Sequence, residues 1–137
     1  METEGVFAPE TLEDAREAYE SVGPAAQTVV RETATAMDFD GEEYRERVTS
    51  DVVETARDAL FASLLVVHVG DFESFVDWRA DAAAEVTLLG SEDVDNVVWH
   101  VAPFADAAVA ATFQDERDAA AATCRRAAFG RLYRDAL

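Results

Sequence analysis

Residues 63–69, SLLVVHV, form a short run rich in β-branched side chains that is followed at once by Gly70-Asp71. A run of this kind is typical of a mostly buried β-strand. In the sixty residues before it, apolar side chains instead recur every three or four positions. The pattern therefore changes from helix to strand at this point, and it predicts an α+β chain.

Upstream of this strand we expect four helices. The first begins near residue 9 and is stopped by Gly23-Pro24, where the second begins and runs to about Met37. Asp40, followed by an acidic residue three positions later, can cap a third helix, and Ser50 can cap a fourth.

Downstream, two further segments have strand character. EVTLLG at 85–90 and NVVWHVA at 96–102 are joined by the polar stretch SEDVD, and together they predict a hairpin. Asp71 can cap a helix that lies between the first strand and this hairpin.

The last third of the chain is rich in alanine and predicts helices. A short one is expected after Pro103, and Thr112 marks the start of a long one that runs to about Asp135. The expected fold is a mostly helical single α+β domain over residues 1–137. Its sheet is small, with about three strands, its N-terminal half is helical and its C-terminal helix is long.

The composition is strongly acidic. The 137 residues include 29 Asp and Glu against 11 basic residues, all of them Arg, which gives a formal charge of −18. Such an acid excess keeps a surface solvated in molar salt, where other proteins associate. Together with the abundance of alanine and the absence of lysine and isoleucine, it favours a halophilic source and a fold that depends on salt.

Localisation is predicted from three negative features. Cys124 is the only cysteine, so no intramolecular disulfide can form, which favours a reducing cytoplasm. The first residues, METEGVFAPETLEDA, lack the basic and apolar regions of a signal peptide. No apolar run approaches the roughly 20 residues of a membrane helix. We therefore expect a cytoplasmic protein without a membrane partner.

Arginines are concentrated at the C-terminal end. Residues 112–137 carry five of the 11 arginines and only four acids, so this is the one segment that is not acidic. On a helix of about 100° per residue these arginines spread round the axis and form no stripe. Pairing within the fold is therefore favoured over a partner contact or an anion site, and no nucleic-acid partner is expected.

One candidate pocket lies on the predicted sheet. His68 and His100 each fall within a strand, and if these strands are neighbours the two imidazoles could approach each other, with Asp71 and Trp99 beside them. Two histidines and a carboxylate can hold a transition metal. No compact ligand spacing is present, however, so partly buried histidines with neither metal nor cofactor are expected.

A candidate interface lies on the helix after Asp71. Phe72, Phe75 and Trp78 recur at three-residue spacing and form one ridge, which either packs in the core or meets a partner. Cys124 falls on the apolar face of the final helix, which predicts a buried and unreactive thiol.

The sequence lacks the usual motifs of nucleotide-binding loops, serine hydrolases and zinc proteases. Two hypotheses of function follow. The first is a non-catalytic interaction module, which forms a homodimer or docks another cytoplasmic protein. The alternative is a small-molecule-binding protein or enzyme with a His/Asp-lined pocket on the sheet.

Four stretches carry a resemblance to known sequences: FAPET at 7–11, VGPAAQTVVRE at 22–32, VVWHVAPFADAAVAATFQDERDAA at 97–120 and RRAAFGRLYR at 125–134. With them the chain resembles an uncharacterised family of small haloarchaeal proteins. The resemblance implies a domain of unknown function and supports a halophilic source, and it carries over no activity or catalytic residue.

Overall fold

A five-stranded sheet with helices on both faces makes up the computed structural model, which describes residues 2–137. The elements before the sequence's change of pattern are β1 (Glu2–Glu4), α1 (Leu12–Ser21), α2 (Gly23–Ala36), α3 (Gly41–Arg47) and α4 (Ser50–Ser63). The elements after it are β2 (Val67–Asp71), α5 (Phe72–Asp81), β3 (Glu85–Leu89), β4 (Asn96–Ala102), β5 (Ala107–Phe113) and α6 (Arg117–Ala128), which a π-helical turn (Phe129–Tyr133) continues. None of the helices described has the length and apolar composition that a bilayer crossing requires.

The strands lie in the order β1-β2-β4-β5-β3, and every pair is antiparallel except β3 with β5. The α+β class is therefore confirmed, but about three strands is an undercount. The hairpin predicted between β3 and β4 is wrong, because β5 lies between them and pairs with both.

The strand β5 is the main departure from the predicted elements. Its sequence, AAVAATF, has high helix propensity, and a short helix was expected there. In the fold it is a central strand whose residues Ala108–Ala111 are buried, with alternate side chains directed to the two faces of the sheet. Small side chains let the layers on both faces approach closely, so packing overrides propensity.

Helix caps account for most of the helix starts. The Oδ1 atoms of Asp40 and Asp71 accept hydrogen bonds from the backbone N–H groups of Glu43 and Ser74, at 2.8 and 2.7 Å. At α4 the cap is Thr49 instead of Ser50, one residue earlier than predicted. The predicted start of the last helix at Thr112 is wrong, since this residue belongs to β5 and α6 begins at Arg117.

Each face of the sheet carries its own core. On one face, α1, α4 and the π-helical turn surround Phe61, which is fully buried. On the other face, the single helix α5 covers Phe75 and Trp99, which are also fully buried. The two cores are separated by the sheet, so a residue's position along a strand decides which of them it joins.

Candidate functional site

His100 lies in β4 and is buried in the core on the α6 side of the sheet. Its Nδ1–H donates to the carbonyl oxygen of Val66, and the hydroxyl of Tyr133 donates to its Nε2, both at 2.6 Å. Because a carbonyl can only accept, this arrangement places the proton of the neutral ring on Nδ1. Burial lowers the pKa of His100 to about 4, so the ring stays neutral at physiological pH.

His68 lies on the opposite face. It pairs across β2 and β4 with Trp99, and their rings stack with centroids 5.5 Å apart. Burial lowers the pKa of His68 below its ordinary value. Among residues 2–137 there is no hydrogen-bond partner for His68 Nδ1 or Trp99 Nε1, although both atoms are buried.

The four candidate pocket residues therefore do not share one site. His100 faces away from His68 because it is adjacent in β4 to Trp99, the residue directly opposite His68. The carboxylate of Asp71 is exposed and caps α5, and its hydrogen bonds to Ser74 lower its pKa. The two strands are neighbours, which was the condition for the pocket, but the register places the two imidazoles on opposite faces.

The aromatic ridge of α5 packs on the sheet. Phe75 is fully buried, and the rings of Phe75 and Trp78 lie 5.3 and 5.7 Å from that of Trp99. Phe72 and Trp78 are half-buried at the margin of this cluster. The solvent side of α5 carries Val76 instead, which is 47% exposed.

Cys124 is fully buried against β5, where its Sγ–H donates to the carbonyl oxygen of Val109 at 3.3 Å. Burial raises the pKa of the thiol to about 12. Since the thiolate is the reactive form of cysteine, this group is chemically inert in the folded chain.

Two of the C-terminal arginines bind β1 through ion pairs and hydrogen bonds. Arg117 forms ion pairs with Glu2 and Glu4 at 2.8 and 2.6 Å. Arg125 donates from Nε to the carbonyl oxygen of Leu65 at 2.8 Å and from Nη2 to that of Glu4 at 3.1 Å. The cluster thus joins α6 to β1 and to the start of β2.

Arg125→Met is expected to destabilise the folded chain by about 2 kcal/mol, because two backbone carbonyls would lose charged donors. Arg126→Met is the matched control: Arg126 is exposed, and its replacement should change the free energy of unfolding by less than about 0.5 kcal/mol. Urea unfolding of the two variants measures the difference. Equal stabilities would contradict this role for Arg125.

A concave apolar surface lies along α4. A cleft of about 560 Å³ lies between α2, α3 and α4, and its walls include Val29, Val30, Ala34, Met37, Val52 and Ala56. Of the six most exposed large hydrophobic residues in the described chain, three line this cleft: Val29, Met37 and Val52 are 46%, 59% and 41% exposed. Single exposed apolar residues are common, but three in one concave site are not.

The other end of α4 borders a second cleft, of about 240 Å³, between α4 and α6. The two clefts share Ala59, and Arg126 lies at the margin of the second. Val52, Ala56, Ala59 and Ser63 fall at steps of three and four, so they share one helix face. We call the two clefts together the α4 trough. From Val52 to Ser63 it extends for about 16 Å at 1.5 Å per residue.

Sequence reasoning missed the α4 trough. The predicted inner faces of α2 and α4 carry Val30 and Val53, respectively, and Val29 and Val52 stand next to them. Such adjacent apolar residues widen the apolar arc beyond what one core face needs, and this was the available signal.

No cluster of three or more His, Cys, Asp or Glu side chains suited to a metal ion occurs within the described part of the chain. No curated protein and no solved structure matches the chain significantly. A family model does match, over residues 6–134, and it describes a family of unknown function, DUF5809. The protein therefore belongs to the DUF5809 family.

Proposed function

We propose that the chain is a non-catalytic interaction module that docks a helical segment of another protein in the α4 trough. The observation that carries the proposal is the concentration of exposed apolar side chains there: Val29, Met37 and Val52 meet in one concave surface. An apolar helix laid in such a groove buries these side chains and its own.

The shape of the trough supports a helical occupant. Its floor is one face of α4, and its sides are α2 at one end and α6 at the other. The small side chains of Ala56 and Ala59 on the floor let a second helix approach α4 closely. Helices that pack in this way lie 8–10 Å apart.

The short helix α3 supports the proposal further. None of its residues is fully buried, and its attachment includes the guanidinium of Arg47 stacked 5.5 Å from the ring centre of Phe39. A segment held by so few buried contacts can move at little cost in free energy. It can therefore adjust to an occupant at this end of the trough.

A displayed library of helical peptides, about 18 residues or 27 Å long, tests the proposal. Peptides selected on the wild-type chain should bind Val52→Asp about tenfold more weakly or worse, because a carboxylate in the apolar contact loses its water. The matched control is Val76→Asp, which alters a valine of similar exposure on α5 and should leave binding unchanged.

Two outcomes would overturn the proposal. One is a selection that enriches no peptide whose binding depends on Val52. The other is a chain that sediments as a dimer and becomes monomeric in the Val52→Asp variant, because a second copy would then occupy the trough. Circular dichroism of each variant establishes that it is folded.

A further inference from the structure

The two edge strands of the sheet differ in charge. β1, the edge beside β2, reads ETE, and Arg117 forms ion pairs with both of its glutamates. β3, the edge beside β5, reads EVTLL, and its single charged residue is Glu85 at the first position. An edge strand that is not blunted by charge, proline or a bulge is a template for pairing with another strand. β3 is such an edge, in a chain that carries 29 acidic residues elsewhere and at its end.

The free hydrogen-bonding groups of β3 belong to Val86 and Leu88. The N–H of Glu85 donates to the carbonyl oxygen of Asp106 at 2.8 Å, and the carbonyl oxygen of Leu89 accepts from a hydroxyl of β5 at 3.3 Å. The backbone groups of alternate residues point to opposite edges of a strand, so those of Val86 and Leu88 face away from β5. Since β3 is the last strand in the order, these groups have no strand beside them within the described chain.

The side chains of Val86 and Leu88 form the margin of an apolar layer. They are half-buried and pack against the core that contains Phe75 and Trp99, on the α5 side of the sheet. The helix α5 lies mainly on β2 and β4, so the part of this face near β3 is only partly covered. A strand added beside β3 would extend both the sheet and its apolar layer.

We infer that β3 pairs antiparallel with β3 of a second copy of the chain, about a two-fold axis at Thr87. In this register Val86 of each copy lies opposite Leu88 of the other, and all five residues of each strand are paired. Opposite residues whose free groups face each other exchange both N–H···O bonds. The second copy fits because it brings the same two free residues and the same apolar side chains in matching positions.

The distribution of charge permits this contact. The two Glu85 side chains would lie at its opposite ends, with their Cα atoms about 14 Å apart at about 3.4 Å per residue. That separation exceeds the screening length of about 10 Å in 0.1 M salt. The formal charge of −18 on each copy still opposes association at long range. Raising the salt from about 0.1 M to about 1 M should therefore tighten the dimer about tenfold.

A pair of cysteine variants tests the register. Thr87 lies opposite itself in a non-hydrogen-bonded pair, where Cα atoms are about 4.5 Å apart, a distance that a disulfide can span. With oxidised glutathione, Thr87→Cys should form a covalent dimer. The matched control Glu85→Cys, about 14 Å from its counterpart, should crosslink at least about tenfold more slowly. Cys124 does not compete, because it is fully buried.

A proline variant tests the edge itself. Val86→Pro removes an outward N–H and leaves the hydrogen bonds to β5 in place. In about 1 M salt, where charge is screened, this variant should sediment as a monomer at about 0.1 mM, whereas the wild type sediments as a dimer. Val52→Asp, which alters the α4 trough, should remain a dimer. Circular dichroism establishes folding, and if Val86→Pro does not fold, the cysteine pair decides.

Three results would contradict the β3 contact: a wild-type monomer under these conditions, a dimer that persists in folded Val86→Pro, or equal crosslinking of Thr87→Cys and Glu85→Cys. None of them affects the proposed function, because no residue of β3 lines the α4 trough. A dimer that dissociates in Val52→Asp but not in Val86→Pro would instead place the second copy in the trough. That result would overturn both the β3 contact and the proposed function.

Discussion

Replacing Phe61 by alanine is expected to destabilise the folded chain by about 4 kcal/mol, measured as a loss in the free energy of unfolding. Phe61 is fully buried near the C-terminal end of α4. Its ring centre lies 5.3–5.9 Å from those of four other rings: Phe7, Tyr19, Phe129 and Tyr133. Removing it would open a cavity where three helical elements and the segment after β1 meet.

Two matched variants make this result interpretable. Phe61→Leu retains most of the volume and should cost less than about 1.5 kcal/mol. Val52→Ala lies on the same helix, but its side chain is 41% exposed, and it should change stability by no more than about 0.5 kcal/mol. Similar values for Phe61→Ala and Val52→Ala would show that this cluster does not hold the helices to the sheet.

Lowering the pH from 7 to 4 is expected to decrease the free energy of unfolding by about 3 kcal/mol through His100 alone. Its pKa falls from an ordinary value near 6.5 to about 4 in the folded chain, because burial disfavours the imidazolium. Between these two values the unfolded chain binds a proton that the folded chain does not. The free energy of unfolding therefore decreases as the pH is lowered from about 6.5 to 4, and it is fully retained above 6.5.

The surroundings of His100 reinforce this direction. The carbonyl oxygen of Val66 accepts a hydrogen bond from the ring and raises the pKa of His100. Arg125 is cationic and His68 can become so, and both lower that pKa. The hydroxyl of Tyr133 would also have to give up its role as donor to Nε2. Protonation of this ring therefore reverses the hydrogen bond, with Nε2–H donating to the tyrosine oxygen, and buries a charge.

The His100→Asn variant isolates the contribution of His100 to the pH dependence of stability. The change in unfolding free energy between pH 7 and pH 4 should be about 3 kcal/mol smaller in this variant than in the wild type. Titration of the many surface carboxylates affects both chains equally and cancels in the comparison. His68→Asn should keep most of the dependence, since His68 is only half-buried. Parallel pH profiles for wild type and His100→Asn would contradict the assignment.

Two of the helix caps, which local chemistry decides, were predicted correctly. The caps at Asp40 and Asp71 are observed because a side-chain oxygen beside free N–H groups needs no distant partner. The change of pattern at SLLVVHV does mark the point where helices give way to the sheet. The prediction of a helix at β5 was wrong, because burial on both faces of the sheet overrode the preference of alanine for helix.

The candidate site depended on strand register, which the sequence does not contain. Each histidine was placed in a strand correctly, and the two strands are neighbours. The face of the sheet that each histidine occupies, however, depends on the register, that is, on which residues of β2 and β4 lie opposite each other. A shift of one position would have placed both imidazoles on the same face. The tyrosine that binds His100 was hidden because Tyr133 reaches it through a π-helical turn, which the 3.6-residue period does not predict.

The attachment of β1 has a consequence for the order of folding. The contact between Arg125 and Glu4 joins residues 121 positions apart, whereas α1 to α4 form from contacts near in sequence. Joining such distant segments carries a larger loss of chain entropy, so this edge of the sheet should assemble late. During synthesis, β1 can pair with β2 only after residue 71 has emerged, and the arginines of α6 bind it later still.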